Sequence, residues 1–251
     1  MTNDTDFTGK HVLVVGGSSG IGNGIAHGFR ERGATVHVWG TRANPADYDL
    51  ADGSDLSGLG YTCVDVGDPD AIEAAPLPFD TLDVLVLCQG TVVYKRGEFE
   101  RPGWDRVMSV NLDSLMHISR KFKPQLLQSQ GSVIIVSSIS GLKANIGNPA
   151  YAASKAGAIS LTKTLGQAWG PEGIRVNAVS AGPIRTLAAS GIANFREMLA
   201  KGEQAAPLRR NVSIEEVGNA AAFLCSDLAS GITGEILYVD GGYNIVGLAG
   251  I

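Results

Sequence analysis

The sequence predicts an α/β fold: a doubly wound, seven-stranded parallel sheet with helices on both faces. Three observations carry that expectation. Short apolar, β-branched runs alternate with longer segments of helical spacing, the rhythm of repeated βαβ units. Several runs are apolar on both parities, as in Val133-Ile134-Ile135-Val136, the pattern of strands covered on both faces. A glycine-rich string ends the first run and opens the first helical segment.

The elements follow in order. A strand is expected at His11–Val15, then a helix over Ile21–Arg32, then strands at Thr35–Trp39, Tyr61–Val64 and Val84–Leu87. One long helix is expected over Asp105–Gln128, a strand at Ser132–Ser137 and a helix over Tyr151–Trp169. A strand at Arg175–Val179, a helix over Ile214–Leu228 and a last strand at Glu235–Val239 complete the pattern. No repeat, low-complexity linker or composition shift interrupts the series, so one domain over residues 1–251 is expected. Residues 185–207, rich in Ala and Gly, follow a strand end. They read either as a substrate lid over the C-terminal edge of the sheet or as an ordinary surface loop with a helix.

Composition excludes several classes. With 44% hydrophobic and 18% charged residues in 251, the chain is globular rather than disordered. A net charge of -5 argues against partners such as nucleic acid or an anionic membrane. Cys63, Cys88 and Cys225 are too few for a disulfide framework and form no metal pair; each is expected to be a small buried hydrophobe. No metal site is expected. The polar stretch Met1–Lys10 lacks a signal region and no apolar run could span a bilayer, so a cytoplasmic location is expected. His11, His27, His37 and His117 share no motif and read as structural or surface residues.

Two strings carry chemistry. In Gly16-Gly17-Ser18-Ser19-Gly20-Ile21-Gly22, glycines 16, 20 and 22 stand where strand turns into helix. Gly16 permits a tight turn, and the later glycines let backbone N–H groups and the helix N-terminus approach a pyrophosphate. Further on, Tyr151 and Lys155 lie four apart, on one face of a helix. A phenol is too weak an acid for easy proton exchange at neutral pH, and a nearby ammonium is expected to lower its pKa. Such a pair suits general acid–base work on an alcohol or carbonyl oxygen. Ser138, at the end of a strand, can donate to the same oxygen; Ser137 is its rival in register.

These strings resemble the short-chain dehydrogenase/reductase family, over nearly all of residues 8–245. The resemblance implies a single-domain Rossmann fold and NAD(P)-dependent hydride transfer between a secondary alcohol and a ketone. It implies a catalytic set of Ser138, Tyr151, Lys155 and Asn111. Tyr151 would be the acid/base, Lys155 would also grip the ribose hydroxyls, and Asn111 would hold a helix irregularity. It assigns cofactor contacts to Gly16, Ser18, Ser19, Gly20, Ile21, Gly22, Gly90, Tyr151 and Lys155. Asp65 and Val66 would meet adenine, while Gly182, Ile184 and Thr186 would lie by the nicotinamide. At the end of the second strand, where an acidic residue would bond the adenosine 2′-OH, the chain has Gly40, Thr41 and Arg42, which favours NADP(H) over NAD(H).

Four positions depart from the family pattern. Val15 replaces a threonine, Ala181 a proline, and Leu87 and Cys88 two amides that brace the sheet; Gln89 is a candidate replacement amide. The chain is similar to 3-oxoacyl-carrier-protein reductases. However, Ser129 and Glu172 stand where arginines would dock the carrier, so a stand-alone enzyme for small alcohol/ketone substrates is preferred. Residues expected near the pocket are Val92, Val93, Tyr94, Leu142, Ala144, Asn145, Leu187 and Phe195, mostly apolar. The resemblance also implies a homotetramer joined through the two long helices. A carrier-protein reductase and a non-catalytic NAD(P)-binding regulator are the alternatives.

Overall fold

The computed structural model describes residues 5–50, 53–184 and 195–247. Strands β1 (His11–Val15), β2 (Thr35–Gly40), β3 (Gly60–Cys63), β4 (Val84–Leu87), β5 (Ser132–Ser138), β6 (Arg175–Ala181) and β7 (Ile236–Val239) form one seven-stranded sheet. Its order is β3-β2-β1-β4-β5-β6-β7, and every pairing is parallel. The double-sided apolar runs explain the layers. Leu13, Val15, Leu85, Leu87, Val133 and Ile135 point into one core, while Val12, Val14, Val84, Val86, Ile134 and Val136 point into the other.

Helices cover both faces. On one side α1 (Gly20–Arg30) and α7 (Ile214–Cys225) bury Ile25, Phe29, Val217 and Leu224. They approach so closely that a Cβ at Gly24 would stand 2.0 Å from Cγ2 of Ile214. On the other side α4 (Ser114–Ser129) and α5 (Pro149–Trp169) bury Ile118, Phe122, Leu126, Leu165 and Trp169. Burying a side chain such as Phe122 contributes about 1.5–3 kcal/mol, so packing against the sheet fixes these helices more than propensity does.

Three expectations need correction. The stretch expected as one helix is broken: α3 (Arg101–Met108) passes into a π turn, Ser109–Asp113, before α4 begins. Apolar spacing alone does not register the extra residue in that turn. A short helix α2 (Pro69–Ala74) also appears, capped by Asp68 accepting from the Asp70 N–H. Cys63 is exposed rather than buried, because it ends a strand at the edge of the sheet. Of the stretch read as a lid, residues 185–194 lie outside the described residues, with Thr186 and Leu187 among them. Of the remainder, Phe195–Ala205 forms α6. Among the described residues no helix is long and apolar enough to cross a membrane.

Candidate active site

The sheet order reverses between β1 and β4, and at such a switch point an α/β sheet opens a crevice at its C-terminal edge. Ser138, Tyr151, Lys155 and Asn111 come together there. Ser138 is the last residue of β5, and its Oγ accepts from the Ser140 N–H at 3.2 Å and shares a hydrogen bond with the Tyr151 phenol. Ser137 is buried and donates to the Lys155 carbonyl at 3.1 Å, so it braces α5 from behind while Ser138 meets the phenol.

Lys155 lies one turn after Tyr151. Its Nζ is buried, donates to the Val136 carbonyl at 2.8 Å and sits 5.7 Å from the Tyr151 ring centroid. Asn111 occupies the π turn. Its Oδ1 accepts from the Thr91 N–H at 2.7 Å, and its Nδ2 donates to the Thr91 carbonyl at 3.0 Å and to Ser154 Oγ at 3.3 Å. A Cβ on Gly90 would lie 3.8 Å from Asn111 Oδ1 and 3.9 Å from Lys155 Nζ, so the two polar ends flank that glycine.

The electrostatics differ from the expectation for Tyr151. Burial pushes the phenol above its ordinary pKa, the Ser138 hydrogen bond opposes it, and negative charge on Cys88, Glu98 or Tyr94 would push it further up. The Cys88 thiol is itself raised to about 11 by burial, so it is neutral at pH 7 and adds no charge there. Lys155 is lowered to about 8 by burial. The ammonium that should acidify the phenol is therefore itself destabilised, and in the protein alone Tyr151 holds its proton.

Sequence reasoning missed Glu98. It is fully buried; its Oε1 accepts from the Val93 N–H at 3.1 Å and from Asn148 Nδ2 at 3.0 Å, and its Oε2 accepts from the Tyr151 N–H at 2.9 Å. A carboxylate from the 3-10 turn Gly97–Phe99, just before α3, thus caps the first turn of α5, where Asn148 makes no cap bond of its own. Nothing in Gly97-Glu98-Phe99 marks it, since an acidic loop residue ordinarily reads as solvated. Gln89 does not brace the sheet. Its Nε2 donates to Ser114 Oγ at 2.9 Å and ties the end of β4 to α4, while its Oε1 is buried with no partner.

The glycine string folds as its residues require. Gly16 has φ +74, and a Cβ there would lie 2.8 Å from the Gln89 backbone; one on Gly22 would lie 2.2 Å from the Gly16 carbonyl oxygen. Ser19 caps α1 without a side-chain bond, and the first turn holds no acidic residue. A bare helix N-terminus above a tight glycine loop fits a pyrophosphate. Ile184 is buried, and at Gly182 a Cβ would lie 2.8 Å from Cβ of Asp240. Val66 is buried in the core, whereas Asp65 accepts from the Gly67 N–H at 2.9 Å and pairs with Arg106 at 3.4 Å.

The far end of this cleft holds a second unforeseen residue. The Tyr48 phenol oxygen accepts from the N–H groups of Thr41 and Arg42, each at 3.1 Å, and bonds Ser18. Arg42 is folded onto it. Its guanidinium lies 4.6 Å above the Tyr48 ring and donates to the Asp47 carbonyl rather than standing free.

Known proteins resemble this chain over most of its length. A family model described as enoyl-(acyl carrier protein) reductase matches residues 15–244. An enoyl-[acyl-carrier-protein] reductase [NADH] of Nostoc sp. is 35% identical, covering 97% of this chain and 99% of that protein. A 3-oxoacyl-[acyl-carrier-protein] reductase of Chlamydia muridarum is 36% identical, covering 93% and 96%. A solved structure from Agrobacterium tumefaciens with bound NADP superposes with a TM-score of 0.81 at 31% identity, covering 96% and 99%.

Proposed function

Because the chain belongs to the short-chain dehydrogenase/reductase family, NAD(P)-dependent oxidoreductases acting on CH–OH or carbonyl groups, we propose that it interconverts a secondary alcohol and a ketone with Tyr151 as acid/base. The observation that carries this reading is the meeting of Ser138, Tyr151 and Lys155 beside Gly90 at the sheet's switch point. When bound, the cofactor supplies or accepts the hydride. The protein handles the proton. In reduction Tyr151 gives its Oη proton to the carbonyl oxygen while Ser138 Oγ donates to the same atom. A phenol is protonated at neutral pH and burial raises its pKa further, so Tyr151 stands in the acid form from which reduction starts. Lys155 spends one N–H on the Val136 carbonyl, and its remaining donors would take the ribose hydroxyls of a bound dinucleotide.

NADP(H) is the preferred cofactor over NAD(H), supported by the missing carboxylate at Gly40 and by Thr41 and Arg42 beside it. Glycines 16, 20 and 22 with Ser18, Ser19 and Ile21 take the pyrophosphate. Asp65 and Val66 line the adenine, and Gly90, Gly182, Ile184 and Thr186 line the nicotinamide side. A single domain with a lid at about 185–207, a cytoplasmic location and a homotetramer complete the reading. Exposed Trp104 and Met116 along α3 and α4 support the last.

A small to medium neutral carbonyl compound suits the exposed apolar Leu142 and the half-exposed Tyr94. Carrier-protein docking is disfavoured because Glu172 pairs with Lys123 at 2.8 Å and Ser129 bonds the Leu82 carbonyl. The relatives named as enoyl and 3-oxoacyl reductases make those thioesters the second reading. The test is turnover on a panel of ketones, alcohols and both thioester types with each dinucleotide. Ketone turnover lost in Tyr151→Phe is expected; thioester turnover alone transfers the assignment, and binding without any turnover makes the chain a regulator.

A further inference from the structure

We propose that Tyr48 is a latch on the adenosine end of the cleft, its phenol oxygen occupying the donors that a cofactor 2′-phosphate takes over on binding. The proposal rests on the dinucleotide reading above. Gly40 ends β2 without a side chain, and a Cβ there would stand 2.5 Å from Tyr48 Oη and 2.6 Å from Ser18 Oγ. Two oxygens therefore fill the space into which a residue-40 side chain would point. Around the phenol oxygen gather the N–H groups of Thr41 and Arg42 at 3.1 Å, the Ser18 hydroxyl, and Tyr61 Oη at 3.4 Å. Paired backbone N–H groups beside a hydroxyl and a guanidinium make a concavity that accepts anionic oxygen.

The phenol reports the character of that corner. Burial raises its pKa, but the bonds from Ser18, Tyr61 and the Arg42 and Thr41 backbone outweigh burial, and the net shift is downward. Negative charge on an oxygen at this spot is stabilised. A neutral phenol uses only part of that capacity, and a phosphate dianion uses more. A neutral 2′-OH gains too little to evict the phenol and shares the corner with it.

Tyr48 belongs to neither hydrophobic core. It follows the 3-10 turn Pro45–Asp47, outside the sheet, and is half-buried. Beyond its hydrogen bonds it is held by the Arg42 stack and an edge contact with Tyr61 at 5.7 Å. The same guanidinium that lies over the ring in the closed state is in place to pair with phosphate when the ring swings out.

The experiment is calorimetric titration of NADPH and of NADH into the wild type, Tyr48→Phe and Tyr48→Leu at one ionic strength. Removing the competing oxygen should tighten NADPH by up to about tenfold, about 1.4 kcal/mol, while NADH changes less than about twofold. Tyr48→Leu should act in the same direction. Unchanged or weaker NADPH binding in both variants, or an equal gain for both dinucleotides, overturns the latch and leaves the cofactor reading intact. Failure of the wild type to bind either dinucleotide overturns that reading and the latch with it.

Discussion

The two ends of the cleft are built from different materials. At the reactive end, side chains carry the function and the backbone holds the side chains. Lys155 is anchored on the Val136 carbonyl and Asn111 on the backbone N–H and carbonyl of Thr91, while the Glu98 carboxylate in turn takes the backbone N–H of Tyr151. At the adenosine end the backbone offers the donors, and an exposed Arg42 and a half-buried Tyr48 lie over them. The first design fixes geometry and perturbs pKa values through burial. The second leaves an exchangeable oxygen in reach of solvent. Chemistry and cofactor choice can therefore be altered separately.

That separation can be broken, most severely at Tyr151. Tyr151→Phe should cut turnover by about 10² to 10⁴-fold while dinucleotide affinity stays within about twofold of wild type. A parallel loss of affinity would mean the two ends are one unit. Glu98→Gln comes next. It puts an amide where three N–H donors converge, and urea denaturation should report a loss of about 2–3 kcal/mol. The turnover number should fall while the Michaelis constant for the dinucleotide holds, and Glu98→Asp should recover part of the rate.

Lys155 supplies a pH-dependent prediction of comparable or smaller size. Its folded pKa, about 8, lies below the unfolded value of 10.5, so the folded state binds fewer protons between those limits. The burial penalty is present in full below pH 8 and fades as pH rises, so wild-type stability should increase through this window. The difference between wild type and Lys155→Met should change by on the order of 1–3 kcal/mol from pH 7 to pH 10.5. A pH-independent difference would show that the amine is not desolvated. The smallest effect belongs to α7, which backs the glycine loop through α1. Ser213 and Glu216 form its capping box, and Ser213→Ala should cost about 1 kcal/mol in thermal melts, with turnover unchanged.

Much of this was legible in the sequence where local and tertiary demands coincide. The ends of β1 and β4 follow the apolar runs to the residue, because those strands are central and buried on both faces. Gly16 and Gly22 announced their turn, since no other side chain fits there. Ser138 was readable from a strand end, and Tyr151 with Lys155 from a helical four-residue spacing. Glu98 and Tyr48 were not, for they act through loops whose partners lie 53 and 6–7 positions away with no periodicity to betray them. The sign of the Tyr151 shift also escaped, because residue spacing carries the attraction of a neighbouring charge but not the cost of taking both groups out of water.

The π turn at Ser109–Asp113 has one more consequence. A surplus residue inserted in a helix turns everything beyond it by roughly 100° about the axis. Excising any one of those five residues would turn Ser114, Ile118 and Phe122 away from the sheet together. The π turn that lets one amide reach across to Thr91 thus sets the angular phase of the next four turns, and a frame of packing is staked on a single extra peptide unit.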